Sequence, residues 1–337
     1  MDLDAAAVDA AAKKGSFTGV VAVDVAGTRE FERAYGFAHR GYEVPNHPET
    51  QFGVASGSKT FTALAVLRLV EAGDLRLDGR VRDILGGDLP LIDDAVTVEH
   101  LLTHTSGIGD YLDEDGEWEA SDFVLGVPVH TLTSAEAFVP VVDGFAQKHP
   151  PGERFSYCNG GYIVLAILLE RTTGRTFHDV VHALVLEPAG LEHTGFPRMD
   201  ELPGTAATGY LFDEGDRTNT LHLPVRGNGD GGAFTTAGDL HRFWQAYFGG
   251  RIVSPETVEE MTRPRFDVPS EHKRYGMGVW LHRFADAAIV EGYDAGVSFR
   301  STHMPASATT ASVLGNSSEG AWPVVRVVAD AIDAAVA

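Results

Sequence analysis

The chain has 337 residues, which at ~150 residues per domain allows about two domains or one large one. With 44% apolar and 22% charged residues it can build a globular core. Its net charge of -22, from 26 basic and 48 acidic residues, repels phosphate and argues against nucleic-acid binding, and its one cysteine, Cys158, excludes an internal disulfide framework. In chain order, the acidic start Met1-Asp2-Leu3-Asp4 is unlike the basic start of a secretory leader. The chain as given is read as soluble and cytoplasmic, with a leader removed ahead of Met1 left open. Residues 4–14 predict a short helix, and residues 18–25 and 31–37 predict a hairpin turning at Gly27-Thr28. Residues 52–55 form a brief extended piece, and 58–73 an apolar helix closed by Gly73.

From about residue 86 to 205 the patterns are helical: a short turn at 98–102, an acidic loop at 110–122, a capped helix from Ser134, and helices at 161–172 and 176–186. The longest apolar run, 162–169, falls short of the ~20 residues that cross a bilayer, so no membrane span is expected. Strand patterns return at 275–283, 287–290 and 309–314, and residues 322–336 carry apolar residues at helical spacing. The expected fold is α/β (α+β), an antiparallel sheet flanked by helices and interrupted by a helical domain. Residues 1–85 and 206–337 would form one discontinuous α/β domain, and 86–205 the helical one.

Two short motifs carry chemistry. In Ser56-Gly57-Ser58-Lys59 the serine and lysine share a helix face, so the amine can sit beside a hydroxyl that needs a proton acceptor to become a nucleophile. The same spacing recurs at Ser270-Glu271-His272-Lys273, in a polar stretch after Pro269. That copy is read as a surface coincidence, away from any deep cleft. Tyr157-Cys158-Asn159 sits on a loop between the turn Pro150-Pro151-Gly152 and an apolar helix. A nearby lysine would favour the tyrosine phenolate as a base, and Asn159 offers an amide to substrate or to Lys59. Gly227-Asn228-Gly229-Asp230-Gly231-Gly232 has dinucleotide spacing but no preceding strand of a βαβ unit, and reads as a turn before a helix. The pairs His100/His104 and His178/His182 lack the glutamate of a zinc protease motif, so neither a metal nor a cofactor is expected. Cys158 reads as a small buried residue, and no Gly-x-Ser-x-Gly occurs.

Taken together with the segments 50–63, 101–107 (Leu-Leu-Thr-His-Thr-Ser-Gly), 151–159, 187–194 and 230–240, these motifs resemble the serine β-lactamase and penicillin-binding-protein superfamily. The similarity is to its class C-like branch of β-lactamases, D-aminopeptidases, DD-carboxypeptidases and β-lactamase-like esterases. The resemblance implies Ser56 as the acylated nucleophile, Lys59 assisting its deprotonation, Tyr157 as general base, and Asn159 as a substrate contact. It implies that the hallmark around His104 is structural. The Ser-Asp-Asn of class A enzymes is missing, since Ser121-Asp122 is followed by Phe123.

The third family motif departs from the pattern. Val290-Glu291-Gly292-Tyr293 occupies the strand where relatives carry a lysine or histidine, so a carboxylate-bearing, penicillin-type substrate is disfavoured. Val290, Glu291, Gly292 and Tyr293 are the candidate substrate-binding residues. Strand alternation is expected to turn Glu291 outward and leave Val290 facing the site, and the amides of Ser56 and Tyr293 are the expected oxyanion hole. The functional expectation is a serine hydrolase acting on a small-molecule ester, amide or peptide. The alternatives are a β-lactamase or D-amino-acid peptidase, an acyltransferase, or a non-catalytic ligand-binding relative.

Overall fold

The computed structural model describes residues 1, 3–114 and 122–336. Ser121 of the Ser-Asp pair, and part of the expected acidic loop, lie outside them. The elements that frame the site are, in order, α1 (Ala5–Lys14), β1 (Gly19–Val25), β2 (Thr28–Tyr35), α2 (Ser58–Ala72), α3 (Asn159–Thr173), α4 (Ala237–Phe248), β3 (Phe266–Val268), β4 (Lys273–Tyr275), β5 (Trp280–His282), β6 (Ala288–Asp294), β7 (Val297–Met304), β8 (Thr309–Gly315) and α5 (Trp322–Val336). The strands form one antiparallel sheet in the order β2-β1-β8-β7-β6-β5-β4-β3. Helices cover both faces, as an α/β sheet with two apolar faces requires.

Alternation along β1 shows how the two faces are built. Val21 and Val23 join α1 and α5 in one core, with Val8, Val324 and Val328. Val20 and Ala22 face the larger core of α2, α3 and α4, with Leu64, Ile163 and Phe243. α2 and α3 are buried almost all round from their first residues, and Gly73 and Gly174 end them in the left-handed region at φ 82° and 66°. Their N-termini carry Lys59 and Asn159 toward the sheet.

Three expected elements change. The strand expected over 275–283 is two strands, β4 and β5, because Gly276 and Gly278 turn the chain between them. Gly278 has φ 74°, and a Cβ on Gly276 would lie 2.0 Å from the Met261 carbonyl. The helix expected from Ser134 is a single short turn at Glu136–Phe138 followed by Val139–Val142, with Pro140 at its start. Strand β7 was not expected. Phe299, Ser301 and His303 share one buried face of it, and the two polar residues are satisfied there, Ser301 by Ser312 at 2.8 Å and by Trp244 Nε1 at 2.9 Å, and His303 by Thr310 at 2.9 Å.

Candidate active site

Ser56 lies in the tight turn Ala55–Gly57 that leads into α2. Ala55 has φ +44°, a conformation disfavoured for a residue with a Cβ and concentrated at functional sites. The turn is clamped by Ser58, whose Oγ donates to the Ala55 carbonyl at 2.8 Å and accepts from the Ala233 amide at 2.9 Å. Gly292 of β6 presses on the same turn. A Cβ there would lie 2.0 Å from the Val54 carbonyl and 2.9 Å from the Ser56 amide nitrogen, so only glycine allows β6 this approach.

In the first turn of α2, Lys59 is 3% exposed, and its Nζ has three partners at 2.8 Å: Ser56 Oγ, Asn159 Oδ1 and the Asp230 carbonyl. The Tyr157 hydroxyl hydrogen-bonds with Ser56. The Tyr157 ring lies 5.0 Å from Lys59 Nζ, stacks on Trp280 at 6.0 Å and rests on His104 at 4.3 Å. Ser56, Lys59 and Tyr157 therefore converge at the floor of a cleft of about 810 Å³, walled by Tyr157, Trp280, Glu291, Tyr293 and Glu114.

Electrostatics set the resting protonation states. Burial pushes Lys59 below the usual lysine range, against the opposing charges of Asp230, Glu114, Asp110 and Asp294. Burial, then Glu114, pushes Tyr157 well above the usual phenol range, and its hydrogen bond with Ser56 only partly offsets this. The expected phenolate is thus disfavoured; Tyr157 rests as a phenol. Burial also raises Asp110 to about 6, although it accepts from the Gly160 amide at 2.8 Å, and raises Asp294 to about 7. Tyr111 donates to Asp230 at 2.6 Å.

Several sequence expectations are corrected. Of the two partners expected for the Asn159 amide, Lys59 is the one it meets here: Asn159 is 2% exposed, its Oδ1 accepts from Lys59, and its Nδ2 donates to the Leu112 carbonyl at 3.1 Å and to Glu114 at 2.9 Å. Val290, 3% exposed, packs under Gly57 in the core rather than in the cleft. Glu291 stands on the opposite strand face, yet that face also opens on the cleft, where Glu291 bonds to Lys273 and Arg300. Tyr293 lines the cleft with its ring 6.2 Å from Trp322. Ser270 and Lys273, read as a surface coincidence, are neither remote nor both exposed: Ser270 lines the cleft and Lys273 is 6% exposed, because β4 joins the sheet beside β5.

The Gly-rich segment 227–232 contributes what side-chain motifs do not reveal, backbone carbonyls. Asp230 holds Lys59, and the Gly229 carbonyl accepts from Thr62 at 2.7 Å. The histidines have other work: His104 Nδ1 accepts from the Cys158 amide at 3.1 Å, His100 Nδ1 from the Thr97 amide at 3.2 Å, and His178 Nε2 pairs with the Gly227 carbonyl at 2.8 Å. Cys158 is buried at the start of α3, where its Sγ accepts from the Gly161 amide at 3.3 Å.

This sheet, with a serine and a lysine one helical turn apart beneath it, is the arrangement of serine β-lactamase-like proteins. The beta-lactamase family model matches residues 5–328, and the chain belongs to that family. The crystal structure of a penicillin-binding protein from Bacillus halodurans superposes with a TM-score of 0.87 and 35% identity, covering 97% of this chain and 99% of that one. Esterase EstB of Burkholderia gladioli is 36% identical over 208 residues, 57% of this chain and 50% of the esterase. A D-aminopeptidase of Brucella anthropi is 28% identical over 272 residues, 78% of this chain and 49% of the peptidase. The chain thus spans about half the length of these two relatives. Among the described residues no helix is long and apolar enough to cross a membrane.

Proposed function

We propose that the protein is a serine hydrolase that cleaves a small ester or amide through a Ser56 acyl-enzyme. The observation that carries this reading is the convergence of Ser56 Oγ, Lys59 Nζ at 2.8 Å and the Tyr157 hydroxyl at the floor of one cleft. The neutral amine of Lys59 takes the Ser56 proton as Oγ attacks the substrate carbonyl carbon. The backbone amides of Ser56 and Tyr293 are the proposed donors to the oxyanion. As the tetrahedral intermediate collapses, the C–O or C–N bond breaks. The Tyr157 hydroxyl gives its proton to the leaving group and is reprotonated by the Lys59 ammonium, which returns the proton taken from Ser56 and leaves the amine neutral for deacylation. Water then attacks the acyl carbonyl, losing its proton to the same relay, and Ser56 is released protonated. This differs from the role the family resemblance implies for Tyr157, because a buried phenol beside Glu114 is a poor resting base but a competent proton carrier.

The esterase and D-aminopeptidase relatives support ester and amide substrates as the class to test. The test offers a p-nitrophenyl ester, a chromogenic cephalosporin and a D-amino-acid anilide to wild type and Ser56→Ala, with intact mass recorded after brief exposure. Ester turnover with an acyl adduct on Ser56, both lost in Ser56→Ala, is expected. Equal turnover in Ser56→Ala, or no adduct and no turnover with any substrate, overturns the reading in favour of a ligand-binding relative.

A further inference from the structure

Beside Tyr157, across the Trp280 ring, the cleft lining carries Glu291, held by two cations outside the lining that the proposed mechanism does not use. Lys273 rises from β4 with its Nζ 4.6 Å from the centroid of the Trp280 ring, the same indole that stacks on Tyr157. Its ammonium bonds to Glu291 on β6 and lies 3.4 Å from Glu271. Arg300 on β7, directly across the β6–β7 ladder from Glu291, donates its Nε to the second carboxylate oxygen. Glu291 thus spans two cations, one on each oxygen. With Glu271 counted, two positive and two negative charges cancel.

We infer that Glu291 is the charge filter of this cleft, a fixed counter-ion that occupies Lys273 and Arg300 and so turns away acyl donors bearing a carboxylate while admitting neutral ones. The inference rests on the proposed hydrolysis and names the substrate class for it. The Lys273 side chain is 5% exposed and that of Glu291 15%, so the pair is little screened by solvent, and an entering carboxylate meets a cation whose charge is already answered. The described residues that line the rest of the cleft add Glu114, Asp267, Glu271 and Glu319 and no lysine or arginine. Burial would raise the Glu291 carboxyl, but Lys273 and Arg300 outweigh it and hold it below the usual range, so it stays charged at neutral pH. A carboxylate placed in a sheet only to hold two strands together would have no reason to face the cleft; this one lines it.

The test compares two esters of matched length, p-nitrophenyl butyrate and the mono-p-nitrophenyl ester of succinate, by the ratio of kcat/KM for the anionic over the neutral ester. Glu291→Gln keeps the shape and removes the carboxylate shared by both cations, leaving Glu271 beside Lys273 and the cluster net positive, and the ratio is expected to rise at least ~10-fold. Adding Lys273→Met to it should return the ratio toward the wild-type value, and Lys273→Met alone should lower it. Thermal melting checks that each variant folds. A ratio within about twofold of wild type in folded Glu291→Gln makes Glu291 a structural counter-ion and overturns the inference. Should Glu291→Gln not fold, the Lys273→Met ratio decides, and no fall there overturns it equally. Calorimetry with glutarate needs no turnover: Glu291→Gln should bind it at least ~10-fold more tightly than wild type. If neither ester is cleaved, ester hydrolysis falls, the anilide and cephalosporin assays decide the hydrolase reading, and the glutarate comparison still judges Glu291.

Discussion

At Lys59 two effects oppose each other. Burial strips water from the ammonium, while Asp230, Glu114, Asp110 and Asp294 stabilise it; burial prevails. If the neutral amine is the acceptor for the Ser56 proton, kcat/KM for a neutral ester rises with pH as Lys59 deprotonates, with a midpoint below the ordinary lysine value of 10.5. Asp294→Asn removes one of the carboxylates that favour the charged form, so a pH–rate profile should show that limb displaced to lower pH. Tyr157→Phe keeps the ring between His104 and Trp280 but removes the proposed proton carrier, and is expected to cost on the order of 10²-fold in kcat. Wild-type kinetics in that variant would leave Lys59 as the sole carrier. Nearby, burial followed by the charge of Asp110 pushes the Cys158 thiol well above the usual range. Iodoacetamide should therefore leave the native chain unlabelled and modify it only after unfolding in urea, as read by mass.

Among the elements, β6 is the one whose position the site cannot spare. Gly292→Ala would drive a methyl into the Val54 carbonyl and the Ser56 and Gly57 amides, which are backbone and cannot swing aside. Displacement of the nucleophile turn by even ~1 Å should lower kcat/KM on the order of 10²-fold. Gly87→Ala, where a Cβ meets nothing within 4 Å, is the control expected to behave as wild type. The same comparison explains what could be read from the chain and what could not. Ser56 and Lys59 are three residues apart on one helix, so their contact is local and visible in the spacing. Tyr157 and Asn159 are set by a proline-glycine turn and an apolar helix that are equally local, though nothing in their spacing tells that the Asn159 amide also donates to Leu112 and Glu114. Lys273 was misplaced because its burial depends on β4 pairing with β5 and β5 with β6, which no local pattern encodes. Asp230 reaches Lys59 across 171 residues of sequence, by its carbonyl and by its carboxylate charge, and no local spacing encodes that contact. Strand β7 gives no apolar alternation because both its faces are buried and mix apolar with polar residues: Phe299 shares a face with Ser301 and His303, satisfied by Trp244, Ser312 and Thr310, and Ser298 and Thr302 lie on the other.

For the molecule as a whole, buried carboxyls make the site a cost to stability at neutral pH. Asp110 and Asp294 have folded values of about 6 and about 7, above the ordinary aspartate value of 3.8, so the folded chain holds protons that the unfolded chain releases. That contribution is full below about 4 and is lost as pH rises through about 6 and about 7. Glu291 has the opposite sign: its value is lowered from 4.5, and the stability it lends is present above 4.5 and lost as pH falls through its folded value. Thermal melting across pH 4 to 9 should peak near ~5. Asp294→Asn should raise the melting temperature at pH 8 and flatten the decline above the peak. A net charge of -22 adds self-repulsion, so salt should steepen neither trend but lift the alkaline end.

The pairing of β1 with β8 sets a timetable for synthesis. Thr18 and Asn316, which share a hydrogen bond of 2.7 Å beside that ladder, are 298 residues apart in sequence. At ~5–20 residues per second a ribosome needs roughly 15–60 s to supply the last strand after the first has emerged. Throughout that interval the β1–β2 hairpin carries an open edge made of Val20, Val21, Ala22 and Val23, an invitation to pair with another nascent chain. Its other edge is guarded from the outset, because β2 alternates Arg29, Glu30, Glu32 and Arg33 along the sheet's rim. Yield on expression should therefore depend on how quickly the final strands follow, and slower elongation or scarce chaperone should cost folded protein before it costs any catalytic property of what does fold.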